Sequence, residues 1–269
     1  MASKRVRRNR TLTVFAVFVL GIWWFTSCVG GQSSVAENTP TATPTPTPTV
    51  DEFAISLLPE AAALPPVKEG VTNYDLANSP VAGLADPAWV KATSEKTGIP
   101  KRVLTAYAGV ALQLNAYKPE CKLSWNTLAG IGWVESRHGT IFGGKVKSNG
   151  NMSEPIYGIP LDGKNNTKAL PDFDDGNFDG TAEFDRAVGP MQFIPSTWAA
   201  WHSDGNGDGI EDGQNIDDSA FAAGRYLCFS GGDLSTPEGW RKALRGYNAS
   251  NTYAKDVSNK AKEYAEKAK

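Results

Sequence analysis

Glu135 places a carboxylate where helical spacing calls for an apolar side chain. Leu128, Ile131 and Glu135 fall at i, i+3 and i+7, so on a helix the acid continues an apolar stripe, with Trp133 and Val134 beside it in sequence. Burying a carboxylate costs free energy, and burial raises its pKa. A raised pKa is what a general acid working near neutral pH requires, which makes Glu135 a candidate acid/base. The same spacing also fits an ion pair with Arg137 or Arg225, or a place at the rim of the domain.

Three further segments gather polar and aromatic groups. Gly189-Pro190-Met191-Gln192-Phe193-Ile194-Pro195-Ser196-Thr197-Trp198 reads as a turn leading into a helix, in which Met191, Phe193 and Trp198 could equally be core. Asp204, Asn206 and Asp208, with Gly209 and Asp212, occupy positions 1, 3, 5, 6 and 9 of an EF-hand-like series. Position 12 is Asn215, where a bidentate Glu is expected, so the match is incomplete. Tyr247-Asn248-Ala249-Ser250 with Tyr253 comes near the end, and Asn248 could also serve as a helix cap. Asp172, Asp174, Asp175 and Asp179 have less regular spacing and read as a solvated loop. His138 and His202 stand alone and carry no assignment.

Glu135-Ser136-Arg137-His138-Gly139, then Gly-Pro-Met-Gln-Phe-x-Pro-Ser, then Asp-Gly-x-Gly-Asp with Asn-Ile-x-Asp, then Tyr-Asn-x-Ser, occur here in the order seen in lytic murein transglycosylases. The chain resembles the membrane-bound lytic transglycosylase B type, in an actinobacterial-looking form, over roughly residues 82 to 258. The resemblance implies a lysozyme-like α domain with a substrate groove for peptidoglycan glycan strands, and Glu135 as single acid/base. Such an enzyme cleaves the bond between N-acetylmuramic acid and N-acetylglucosamine and leaves a 1,6-anhydromuramoyl end. It dispenses with the second carboxylate of ordinary glycosidases. The resemblance further implies substrate-binding roles for Ser136, Met191, Gln192, Tyr247, Asn248 and Tyr253. It also implies a structural calcium at Asp204, Asn206, Asp208 and Asp212, while the chemistry itself requires no cofactor. Two alternatives remain open. One is a muramidase that hydrolyses the same bond, with Asp185 or Asp174 as second carboxylate. The other is a non-catalytic wall-binding scaffold.

The elements that must position these groups read as mostly α. Apolar spacing, caps and prolines predict helices over residues 87–96, 100–115, 124–139, 195–201, 218–229, 236–245 and 252–267. Between them lies a long irregular segment, residues 140–188, rich in Gly, Asn, Asp and Pro. A loop of that length inside a compact domain is usually functional or disordered.

Upstream, the chain changes character. Residues 4–10 read KRVRRNR and an apolar run follows over residues 12–25, the pattern of an export signal or membrane anchor. The basic head places the N-terminus in the cytoplasm and the body outside. Ser27-Cys28 allows a lipoprotein, but Phe25 stands where an aliphatic residue is usual, which favours a signal anchor. The Thr-Pro repeat over residues 39–49 prefers polyproline II, a stalk of about 35 Å. Three parts result: 1–29 as signal anchor or signal peptide, 30–81 as linker and extended segment, and 82–269 as catalytic domain. In an exported protein, Cys121 and Cys228 are expected to form a disulfide. A net charge of -2 argues against nucleic acid as a partner. The expected partners are glycan strands and, through the N-terminal segment, the membrane.

Overall fold

The structure, a computed structural model, describes residues 56–165 and 167–269. The expected membrane segment, Cys28 and the Thr-Pro repeat lie outside the described residues. Among the described residues no helix is long and apolar enough to cross a membrane.

The described chain is mostly helical and contains isolated β-bridges but no strands. Eight α-helices follow one another: α1 (Asn73–Asn78), α2 (Pro87–Thr97), α3 (Lys101–Tyr117), α4 (Trp125–Ser136), α5 (Pro195–Trp201), α6 (Ile216–Gly231), α7 (Pro237–Tyr247) and α8 (Asn251–Ala268). Two 3-10 turns, Val81–Gly83 and Pro119–Cys121, flank α2 and α3. Local chemistry sets most of the starts. Asp86, Asn215, Thr236 and Ser250 each accept a hydrogen bond from a backbone N–H in the first turn of α2, α6, α7 and α8. Proline occupies the first position of α2, α5 and α7, where its missing N–H costs nothing.

Helix α4 is the centre of the domain. Its residues from Trp125 to Gly132 are buried on every side, as expected of a helix that is apolar all round. Helix α8 lies against it at close range. A Cβ on Gly130 would stand 2.7 Å from the carbonyl oxygen of Val257, and one on Gly132 would stand 1.9 Å from the hydroxyl of Tyr107 on α3. Only glycine fits at these two contacts. The buried Asn126 is fully used: its amide donates to the carbonyls of Ala261 and Glu60, and its Oδ1 accepts from the N–H of Ala62. Leu57 joins the same core, and its carbonyl accepts from the Ser258 hydroxyl. The segment before α2 is thus hydrogen-bonded to both α4 and α8, and with Leu57, Val81 and Leu84 it helps to build the core.

Cys121 and Cys228 stand at disulfide distance, with Cα atoms 5.3 Å apart. The bridge ties the turn after α3 to the last turns of α6.

Residues 140–188 are better ordered than their composition suggests. Short bridges pair Val146 with Met152, Asn151 with Asn215, Tyr157 with Val188 and Pro171 with Phe184. Gln214 holds the segment from the side. Its Oε1 accepts from the Ile156 N–H and its Nε2 donates to the Ile156 carbonyl, each at 2.9 Å, so the side chain pairs as a strand backbone would. Arg102 on α3 donates to both carboxylate oxygens of Asp217 and to the Ser148 carbonyl, which pins the loop where α6 begins.

Candidate active site

Glu135 stands in the last turn of α4, where the helix leaves the core. Arg137 and His138 follow with φ of 53° and 61°, both left-handed and neither glycine. The His138 N–H reaches back to the Gly132 carbonyl and the Arg137 N–H to that of Trp133, closing the helix end. The sequence placed this stop at Gly139, three residues later. The two left-handed residues hold because His138 is clamped from both sides. Its Nε2 lies 2.8 Å from the Tyr264 hydroxyl and its Nδ1 lies 3.3 Å from that of Tyr107. Burial, with Lys260 and Arg137 nearby, pushes the His138 pKa down to about 3, so the ring is neutral.

The acid has one side-chain partner. Tyr253, in the first turn of α8, donates its hydroxyl to Glu135 Oε1 at 2.5 Å. Burial raises the Glu135 pKa to about 7, against the smaller lowering by this hydrogen bond. Neither arginine that could have neutralised it does so. Arg137 lies over the Trp133 ring at 4.4 Å, and Arg225 donates to the Ser203 hydroxyl and the His202 carbonyl. Asp185 belongs to the long loop, where its Oδ1 accepts from the Phe173 N–H.

Tyr247 stacks parallel to Tyr253, ring centroids 6.4 Å apart, and donates its hydroxyl to the Met191 carbonyl at 2.7 Å. Burial and the nearby Glu135 charge raise both tyrosine pKa values well above the ordinary one, so both stay hydroxyl donors. Gln192 sits at the turn opposite, φ 51°, with its amide donating to the Gly189 carbonyl at 2.8 Å. A cavity of about 150 Å³ is lined by Gln192, Phe193, Ile194, Thr197, Tyr226, Gly246 and Tyr247. A second, of about 490 Å³, is lined by Trp133, Val134, Arg137, Asp256, Asn259 and Lys260.

The chain matches no family model, no curated protein and no solved structure.

Glu135, Tyr253 and Tyr247 follow one another by contact, Gln192 shares the first cavity with Tyr247, Glu135 itself lines neither cavity, and three other expected residues take different places. Met191 is completely buried in the core, so its backbone carbonyl faces the site while its side chain does not line a groove. Ser136 is also buried. Its hydroxyl donates to the Pro190 carbonyl at 2.6 Å and accepts from the Gly139 N–H, tying the 189–192 turn to the end of α4. Asn248 caps the end of α7, and its Oδ1 accepts from the Ser250 N–H across the turn into α8. Tyr226 lines the cavity without having been anticipated, because it sits on α6 outside every motif.

The Asp204 loop folds around a carboxylate the EF-hand pattern does not include. Asp218, buried in α6, accepts from the N–H groups of Gly205, Asn206 and Asp212. Burial raises its pKa to about 7. Asp204 accepts from the N–H groups of Gly207, Asp208 and Gly209, and Asn206 donates to Asp208 Oδ2 at 3.0 Å. Asp212 accepts from the Gln214 N–H. Asn215 at position 12 is turned away: it caps α6 and donates to Asn151 Oδ1. The oxygens of Asp204, Asp208 and Asp218 are thus taken up by backbone N–H groups of the loop, and among the described residues these acids do not gather as three carboxylates within 4.8 Å. The other acidic run is not simply solvated, since Asp179 is wholly buried and carboxylate oxygens of Asp172, Asp174 and Asp179 lie within 4.8 Å of one another.

Proposed function

We propose that the chain is a peptidoglycan lytic transglycosylase, working outside the cytoplasm from a membrane tether, with Glu135 as its single acid/base. The observation that carries this reading is Glu135 at the exit of the central helix, held by the Tyr253 hydroxyl with neither Arg137 nor Arg225 paired to it, where desolvation raises its pKa to about 7. A carboxyl group with a pKa near the working pH can give up a proton and then take one back, as one group serving two steps must.

Protonated Glu135 donates to the glycosidic oxygen between the muramoyl and glucosaminyl units as that bond breaks. The carboxylate then removes the proton from the muramoyl C6 hydroxyl, whose oxygen bonds to C1 and closes the anhydro ring. No water is consumed. Tyr253 keeps the carboxyl oriented through both steps. Gln192 and the Tyr247 ring border the sugar on the opposite side. The lysozyme-like identity of the helical domain belongs to the same proposal, supported by the acid at the exit of a buried central helix. The muramidase alternative loses support from the placement of Asp185, whose carboxylate is held within its own loop.

The test is mass spectrometry of fragments released from purified peptidoglycan by the full-length chain and by Glu135→Gln. Anhydromuramoyl ends from the first and none from the second are expected. Reducing ends would replace this reading with hydrolysis, and binding without release would replace it with a scaffold.

Calcium at the Asp204 loop is a second, structural part of the proposal, with Asp204, Asn206, Asp208 and Asp212 as the oxygen donors. Adding calcium after chelation is expected to raise the melting temperature of the wild type and not of Asp204→Ala. Equal melting curves with and without calcium would remove the ion.

A further inference from the structure

Aromatic rings continue outward from the acid well past the cavity at Gln192. Tyr253 touches Glu135, and Tyr247 stacks on Tyr253 at 6.4 Å. Tyr226 follows Tyr247 at 5.9 Å, Trp201 follows Tyr226 at 5.4 Å, and Phe229 follows Trp201 at 5.0 Å. The ladder begins buried and ends in solvent, for Phe229 is 70% exposed. It runs from the first cavity into a second cleft of about 180 Å³, lined by Leu114, Tyr117, Lys118, Trp201, Arg225 and Phe229.

Core packing accounts for the inner rings but not for the outer ones. Phe229, still 70% exposed although it packs on Trp201, beside a Tyr117 that is itself 46% exposed, marks a contact surface. The shape of the patch indicates what it contacts. A protein partner is met by a broad face, whereas here single rings follow one another in file from the acid, with the donors of Lys118 and Arg225 along the edge of the cleft. A pyranose offers the matching surface: an apolar face of C–H groups for each ring and hydroxyls around the rim for the edge donors. Arg225 is fixed in place by its bonds to Ser203 and His202, so the cleft is preformed.

Resting on the function proposed above, we infer that Tyr226, Trp201 and Phe229 form successive sugar-stacking subsites, which carry a glycan strand away from Glu135 to an outermost subsite at Phe229 and Tyr117. The enzyme then distinguishes long strands from short fragments, since only a strand several sugars long reaches Phe229.

The experiment compares the full-length wild type with Phe229→Ala and Phe229→Trp on short glycan fragments and on long uncross-linked strands, reading kcat and KM separately. Phe229 is exposed, so its loss leaves the fold intact, and matching melting curves verify this. The expected result is that Phe229→Ala raises KM for long strands about tenfold, the factor one aromatic contact is worth. Its kcat, and both constants on short fragments, stay unchanged, and Phe229→Trp restores the wild-type KM. Cleavage of both lengths with KM unaltered by Phe229→Ala overturns the subsite and leaves the function standing. The same result with a change in sedimentation assigns the patch to a second copy of the chain. Cleavage of neither length by the wild type overturns the functional reading and the subsite together.

Discussion

Glu135 carries its burial as a free-energy cost that depends on pH. Its pKa is about 7 in the fold against an ordinary value of 4.5, so the folded chain keeps a proton that the unfolded chain releases between those values. Below pH 4.5 both forms are protonated and burial of the neutral acid costs little. Stability is lost as the pH rises from 4.5 through 7, and above 7 the buried charge is fully present. The shift sets the scale at no more than about 3 kcal/mol. Glu135→Gln, which cannot ionise, is therefore expected to match the wild type near pH 4 and to melt a few degrees higher at pH 8. Melting curves across that range check it, and a difference independent of pH would show that ionisation is not what Glu135 costs the fold. Tyr253 works against part of this cost by donating to the carboxylate, which is why the acid and the first turn of α8 belong to one site.

At the scale of elements, the acid is placed by the fit of α4 against α3 and α8. Gly132 is the tightest point, because Tyr107 fills the space a methyl group would need. Gly132→Ala is expected to cost about 1–3 kcal/mol, the usual range for overpacking, and to shift the Glu135 pKa as the helix end moves. Chemical denaturation measures the first effect and a pH titration of Glu135 the second; an unaffected stability would mean that Tyr107 moves freely aside. Most of these elements were legible from the chain. Capping residues and prolines gave the helix starts within a few positions, because those signals are local. The end of α4 was not legible, since Arg137 and His138 adopt left-handed backbone only through contacts with Tyr264 and Tyr107, far away in sequence. Helix α1 was missed too. Its capping box, Thr72 with Asp75, is intact, but six residues are too short to show an apolar period. The site divides the same way. Glu135 stood out by interrupting a stripe, whereas nothing in the sequence showed that its neighbour Ser136, and Met191 beside Gln192, are buried. Tyr226 carried no local signal, and Asp218 was legible only as the last residue of Asn-Ile-x-Asp, with nothing to show that the Asp204 loop folds around it.

For the whole molecule, the Cys121–Cys228 bridge closes a loop with a sequence separation of 107 residues, which contains α4, the long loop, α5 and most of α6. A native cross-link of this kind contributes on the order of 2–5 kcal/mol. Cys228→Ser is expected to lose that much stability while its Glu135 titrates as before, because neither cysteine touches the acid. Thermal melting and the pH profile of cleavage read the two quantities. A displaced pH profile would show that the bridge shapes the site as well as the fold.

The strap from Ser56 to Ala63 crosses α4 and α8, bonded to them through Asn126, Ser258 and Lys262, and through the Trp125 indole to the Ala63 carbonyl. These are the two helices that bring Glu135 and Tyr253 together. Mechanical tension on the chain upstream of Ser56 therefore does not end at the edge of the domain. It would be borne by a row of hydrogen bonds loaded on the helix pair that brings Glu135 and Tyr253 together, so force applied there and the proton affinity of the acid would be linked through the same few contacts.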